Sequence, residues 1–271
     1  MRRLSRKERQ RRNEIKSIAG GILIVVALGI LGYLIFQGQG PPVPLDSENC
    51  PTDQAYAAQI AVLLDPSDVL TSVQIRSVRS RLLTVIENEA PAMTEIRIYM
   101  VRRAGRGEMS GVFRVCKPVH PDSVSSLTGN PTFAADRYGK FRGPLETNLE
   151  QQLKAPSDSI SPILKAIQAA VVSAFQPREA SIPRKLFIVS DMIQNSDNMS
   201  FYHDPVDFPG FMGDPNYGTL RVDLEGVNVV LFRLARRGEA GGIQGSRFQR
   251  FWEDYFRDQG AGQIEWIRVE G

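Results

Sequence analysis

From about residue 57 onward, two kinds of apolar spacing alternate along the chain. Short unbroken apolar runs of the kind carried by buried strands are followed by stretches in which apolar residues return every three or four positions, as on a helix face. The first run, Ile60, Ala61, Val62, Leu63 and Leu64, stops at Asp65, with Pro66, Ser67 and Asp68 behind it. It predicts a strand buried on both faces. Thr71 and Gln74 then have capping-box spacing, and Val73, Val78, Leu82, Val85 and Ile86 recur at helical intervals to about Glu89. Glu95–Val101 alternates like a strand, and Gly111–Cys116 resembles a shorter one. The gap of about ten residues is too short for a helical crossover, so the pair is expected to form an antiparallel hairpin at one edge of the sheet.

Pro118–Pro144, which carries Phe133, Tyr138 and Phe141, reads as mostly loop, and helical patterning resumes from about Leu145 to near Pro156. A further helix is expected with Ser161 as N-cap, Pro162 in its first turn and an apolar face of Ile163, Leu164, Ile167, Val171 and Phe175. Lys185–Met192 is a second buried strand, also ending at an acid, Asp191, and Val227–Leu234 is a third. Phe248, Phe251, Trp252 and Tyr255 stand at i, i+3, i+4 and i+7 on a helix ended by Gly260, a spacing that signals core packing. Ile264–Val269 closes the sheet.

This alternation predicts one α/β domain over residues 57–271, Rossmann-like, with a mostly parallel central sheet and helices on both faces. Asp65 and Asp191 then end equivalent strands, and neighbouring parallel strands lie about 4.8 Å apart. The two carboxylates are therefore expected in one crevice at the carboxyl edge, where open α/β sheets bind ligands.

The amino-terminal part changes the picture. Residues 1–16 hold eight Lys or Arg against Glu8 and Glu14, leaving 25 Lys or Arg and 28 Asp or Glu in the rest, a net of −3. The basic balance thus belongs to the tail, and the folded body is not expected to bind nucleic acid. Ile18–Phe36 has no charged side chain and, at 1.5 Å per residue, roughly matches the ~30 Å of a bilayer core. It predicts a transmembrane helix; a cleaved signal peptide would have a shorter apolar part and a small-residue cleavage site. Residues 1–17 then form a basic cytoplasmic tail and residues 37–56 a Pro/Gly-rich linker. With Lys and Arg only before the span, the body is expected outside the cytoplasmic (inner) membrane, in the periplasm of a two-membrane cell. Cys50 and Cys116 are either an oxidised pair or two unrelated thiols, and spacing does not choose.

An Asp-x-Ser at the end of the first strand and an Asp ending the strand after the capped helix give the chain its resemblance to the von Willebrand factor A (vWA) domain, over about residues 57–270. The resemblance implies a divalent cation, Mg²⁺ or Mn²⁺, above the sheet, with a partner's carboxylate completing its shell. By position, Asp65 and Ser67 match the first loop and Asp191 the third. Ser159, with Ser161 next, is the counterpart of the second-loop Thr. Val69 stands where the family's last Ser should be, and a water or Asp68 would have to offset that loss.

Asn195–Gly218 is long for its place, and Asp68, Phe201, Tyr202, Phe208, Phe211 and Tyr217 are the expected partner-binding residues around the crevice. His120 and His203 lie in loops outside any metal-ligand spacing, and neither a phosphate loop nor a GxSxG elbow occurs. A strand ending in Asp is also similar to haloacid dehalogenase phosphotransferases, but Ser67 replaces their second acid. The sequence therefore predicts a single-pass membrane protein displaying a vWA-like interaction or scaffold module to a protein partner. The alternative is a membrane-anchored metal-dependent hydrolase or phosphatase using the same Asp pair.

Overall fold

A computed structural model describes residues 16, 19–33, 43–65, 69–101, 113–125, 129–155, 160–176, 181–203 and 207–271. The chain divides into two units, Met1–Pro44 and Leu45–Gly271. In the first, residues 19–33 are helical (α1), with Leu23, Val25 and Leu28 among its exposed apolar side chains. No helix among the described residues is long and apolar enough to cross a membrane. The described turns cover about 22 Å at 1.5 Å per residue, and the remainder of the expected span, Ile18 and residues 34–36, lies outside the described residues.

The second unit is an α/β fold built on a six-stranded sheet. Its strands are β1 (Ala58–Leu64), β2 (Thr94–Met100), β3 (Phe113–Cys116), β4 (Arg184–Ser190), β7 (Val227–Leu234) and β8 (Ile264–Val269), in the order β3-β2-β1-β4-β7-β8. Only β3 runs antiparallel, paired with β2 at the edge as the short connection requires. The strand order reverses between β1 and β4, which lie side by side with Leu64 opposite Val189. Such a reversal opens a crevice at the carboxyl ends of the two strands.

Period-two alternation sends Ile60, Val62 and Leu64 to one face of the sheet and Ala61 and Leu63 to the other. On the first face lie α2 (Ser72–Asn88) and α3 (Pro131–Leu153); on the second, α4 (Ile163–Ala174) and α7 (Ser246–Asp258). The capping box forms: Gln74 N donates to Thr71 Oγ1 at 3.2 Å, and Thr71 N donates to Gln74 Oε1 at 3.0 Å. The aromatic stripe of α7 is core.

Three expectations change. Helix α3 begins at Pro131, well inside the stretch read as loop, because Asn130 caps it by accepting from Thr132 N and Phe133 N. Tyr138, Phe141, Leu145 and Leu149 then bury one face, while Pro144 sits on the exposed side, where a freed carbonyl meets water. Packing here overrides a low local propensity. Ser161 does not cap α4, whose N-cap is Pro162; Leu164 N instead donates to the buried Gln194 Oε1 at 3.1 Å. Finally, residues 45–56 belong to the domain and not to the linker. Cys50 and Cys116 form a disulfide with Cα atoms 4.8 Å apart, and Asp46 pairs with Arg114 at 2.8 Å.

Candidate functional site

The crevice is built from the ends of three parallel strands. β1 delivers Asp65, whose backbone N–H still donates to Val189 O at 2.9 Å, so the carboxylate stands just past the last ladder position. β4 delivers Ser190 and Asp191. The side chains of both acids are nearly sealed from solvent: Asp65 is 3% exposed and Asp191 2%. Ser161 Oγ donates to Asp65 Oδ2 at 2.8 Å and Ser190 Oγ donates to the same oxygen at 2.6 Å. Ser161 is held there by paired backbone bonds with Asn195, 2.8 and 2.9 Å.

Asp191 is fixed differently. Its Oδ1 accepts from Ile193 N at 2.9 Å, a turn in which the side chain takes the place of a backbone acceptor. Its Oδ2 accepts from Arg236 Nε at 2.9 Å. Between these anchors Met192 adopts φ +63°, a left-handed conformation unusual for a long side chain. Three bonds hold it: Met192 N donates to Ser190 Oγ at 2.7 Å, Trp252 Nε1 donates to Met192 O at 3.0 Å, and the Asp191 turn closes over it. Strain of this kind costs on the order of 1–3 kcal/mol and persists only where surroundings dictate it.

Arg236 comes from the end of β7. Gln244, just beyond the short helix α6 (Gly238–Ile243), clamps it: Gln244 Oε1 accepts from Arg236 N at 3.0 Å, while Gln244 Nε2 donates to Asp191 O at 3.0 Å and Leu234 O at 2.9 Å. Burial pushes the Asp191 carboxyl up, to about 6, and the neighbouring Asp65 charge adds to the rise; Arg236 and the Ile193 N–H pull against it. Two acids and one guanidinium thus share a space of low dielectric.

Of the residues expected from sequence, Asp65, Asp191 and Ser161 are brought together, while Ser67, Asp68 and Ser159 lie outside the described residues. Arg236 and Gln244 were missed. The available signal was a basic pair, Arg236 and Arg237, directly after a central strand, at the same edge as the two acids. Among the described residues the oxygens that could face a divalent ion already have partners, and Ser67, Asp68 and Ser159 lie outside them. Both oxygens of Asp191 are engaged by N–H donors, Val69 offers no side-chain oxygen, and no cluster of three or more His, Cys, Asp or Glu that could hold a metal occurs among the described residues.

The partner-binding set also changes. Phe201 and, on the short helix α5 (Phe208–Met212), Phe208 and Phe211 are buried against α7, with Phe201 and Phe251 centroids 4.9 Å apart and Phe211 and Phe251 5.6 Å apart. Their apolar area is already used within the domain, which removes them as contact residues. Tyr217 is half-buried and its hydroxyl donates to Asp258, and Tyr202 is the exposed ring. Exposed apolar surface instead lies at Val69 and Val73, 76% and 52% exposed, where the chain leaves Asp65 and enters α2. A cavity of about 180 Å³ lined in part by Lys165, Gln194, Asn198 and Asp214 faces the turn between β5 (Asn195–Ser196) and β6 (Met199–Ser200), and none of the crevice's charged groups lines it. His203 is exposed, and His120 is half-buried against Tyr138.

No family model matches the chain, and no curated protein does. Among solved structures, it is similar to an aerotolerance-related membrane protein from Bacteroides fragilis carrying multiple mutations to serine, at 12% identity over 78% of this chain and 91% of that one, with TM-score 0.37. It is similar to the conserved hypothetical protein BatB from Bacteroides thetaiotaomicron, at 14% identity over 79% and 91%, with TM-score 0.37. A third is proximal thread matrix protein 1 from the mussel byssus, at 12% identity over 76% and 46%, with TM-score 0.36. At these scores and identities the likenesses carry no weight for fold or function. The six-stranded, mostly parallel sheet is itself compatible with the vWA-like architecture that the sequence resembles.

Proposed function

We propose that the chain is a membrane-held, vWA-like interaction module that receives a protein partner at the carboxyl edge of its sheet and acts as a scaffold. The observation that carries this reading is the convergence of Asp65, Asp191 and Arg236 at the strand-order reversal, with Val69 and Val73 exposed where the chain enters α2 after β1. Buried charge and backbone strain kept together at such a place favour a binding role over a purely structural one. The Cys50–Cys116 disulfide supports an oxidising compartment for the body, and the basic tail before the apolar helix supports a cytoplasmic amino terminus. The net −3 of the remaining chain supports a protein partner over nucleic acid.

Photo-cross-linking in intact cells tests this reading. A photoreactive residue at Val69 or Val73 is expected to give a discrete protein adduct. Val172, as exposed on α4 as Val73 is on α2, is the control, because the end of α4 lies at the opposite edge, where Gln59 Nε2 donates to Gln176 O. Adducts of equal yield from Val172, or none from either valine, would overturn the proposal. Turnover of a generic phosphate ester that Asp65→Asn abolishes would support the hydrolase alternative in its place. Protection of the body from added protease in intact cells, with digestion in inverted vesicles, would contradict the proposed orientation.

A further inference from the structure

We infer that Arg236 is the resident cation of the crevice: its guanidinium, seated on Asp191 and clamped through Gln244, supplies the positive charge beside the acid pair, so the site works without a divalent ion. The functional consequence rests on the crevice being the binding site proposed above, but the claim about the ion stands on geometry alone.

Charge sets the requirement. Asp65 and Asp191 are each almost fully buried, and two neighbouring carboxylates removed from water need a compensating positive charge or a shared proton. In the resembled family a metal meets that need. Here Arg236 Nε lies 2.9 Å from Asp191 Oδ2, and a second cation bound to the same oxygen would meet the guanidinium at close range. Mg²⁺ also demands an octahedron of hard oxygens at about 2.0–2.1 Å. Asp191 Oδ1 already accepts from Ile193 N, and Asp65 Oδ2 accepts from two hydroxyls. Asp191 Oδ2 is therefore the oxygen an ion would take, and Arg236 holds it while Oδ1 keeps the turn at Met192.

Arg236 is also not a surface side chain that happens to fold inward. Its side chain is 11% exposed, and Gln244 joins its backbone N–H to the carbonyls of Asp191 and Leu234. One amide thereby fixes the spacing between the donor strand β7 and the acceptor strand β4. Arginine suits the role better than lysine because its planar fork is rigid, always charged and weakly hydrated.

The test is Mn²⁺ binding to the full-length chain in detergent, after chelation and desalting, followed by the loss of the free-ion signal in electron paramagnetic resonance. Wild type and Asp191→Asn are expected to behave alike, with no saturable site in the low millimolar range. Arg236→Ala is expected to gain a saturable site, at least roughly tenfold tighter than any seen in wild type. Saturable binding by wild type that Asp191→Asn abolishes would overturn the inference, as would a folded Arg236→Ala protein that gains no site. If Arg236→Ala fails to fold, the wild-type and Asp191→Asn pair decides the matter by itself. The cross-links from Val69 or Val73 are expected to be unchanged by EDTA. Their complete absence would count against the proposed partner surface and leave the Mn²⁺ result to decide the ion.

Discussion

The two edges of the sheet each bury a cluster of charge, and they solve the problem in opposite ways. At the amino edge Glu95, 1% exposed, accepts from Arg97 at 2.9 Å, Arg114 at 2.8 Å and Gln59 at 3.2 Å. Arg114 also reaches Asp46 at 2.8 Å and Tyr56 OH at 3.0 Å, so the two closest acids face two arginines, with the partly exposed Glu48 3.9 Å from Arg114. Burial works against the charge of Arg114, yet these partners hold its pKa above the ordinary range. The disulfide at Cys116 ties the same corner covalently. At the carboxyl edge one arginine pairs with Asp191 while the neighbouring Asp65 is held by hydroxyls, and the backbone is strained at Met192. A balanced, cross-linked network holds a fold together; an imbalanced one kept under strain is what a binding site requires.

Removing the cross-link should have the largest effect. Its loop spans 66 residues, and loop-closure entropy puts its loss at roughly 4 kcal/mol. Urea unfolding of the Cys50→Ser/Cys116→Ser protein, with reduced wild type as a second sample, measures it. Next comes Arg236→Ala, expected to cost about 3 kcal/mol at neutral pH because it leaves a buried acid pair without a counter-charge.

The third effect depends on pH. An acid whose folded pKa is raised, here from 3.8 to about 6, binds its proton more tightly in the native state than in the unfolded one. Ionised Asp191 therefore costs stability above about pH 6, and the cost vanishes as the pH falls below the unfolded value. Wild type should gain on the order of 2 kcal/mol from this group between pH 7 and pH 4, and Asp191→Asn should lose that dependence. Urea midpoints across the range would show it, and an unchanged profile in the variant would break the contrast between the edges.

Glu95→Gln should cost less than Arg236→Ala, about 1–2 kcal/mol, because Arg97 and Arg114 are 26% and 31% exposed and can turn to water. Thr71→Ala, which removes one side of the α2 capping box, should cost about 1 kcal/mol by the same measurement.

Much of the frame was legible in the sequence because strands buried on both faces leave little choice of residue. β7 and β8 fall on the boundaries read from their apolar runs, and the short connection before Cys116 placed β3 correctly at an edge. What was not legible depends on contacts between distant residues. Tyr138 and Phe141 declare a helix only once the sheet face they cover is known. Phe201, Phe208 and Phe211 look like surface in a Gly- and Pro-rich segment until α7 is laid over them. Ser161 reads as a cap by local rules, yet its hydroxyl is taken by an acid 96 positions earlier in the chain. Asp65 and Asp191 were found because both end strands; Arg236 was not, since the basic pair after the third strand points to the crevice only once its pairing with Asp191 is known.

Asp191 and Arg236 form one coupled unit in the crevice at the reversal of strand order. A double-mutant cycle with Asp191→Asn and Arg236→Met, by urea unfolding at neutral pH, tests it most directly. The structure predicts a coupling energy of about 2 kcal/mol, with the double variant more stable than the two single losses would sum to. Coupling within about 0.5 kcal/mol of zero would mean that the two residues act independently and that Arg236 is not the counter-charge of Asp191.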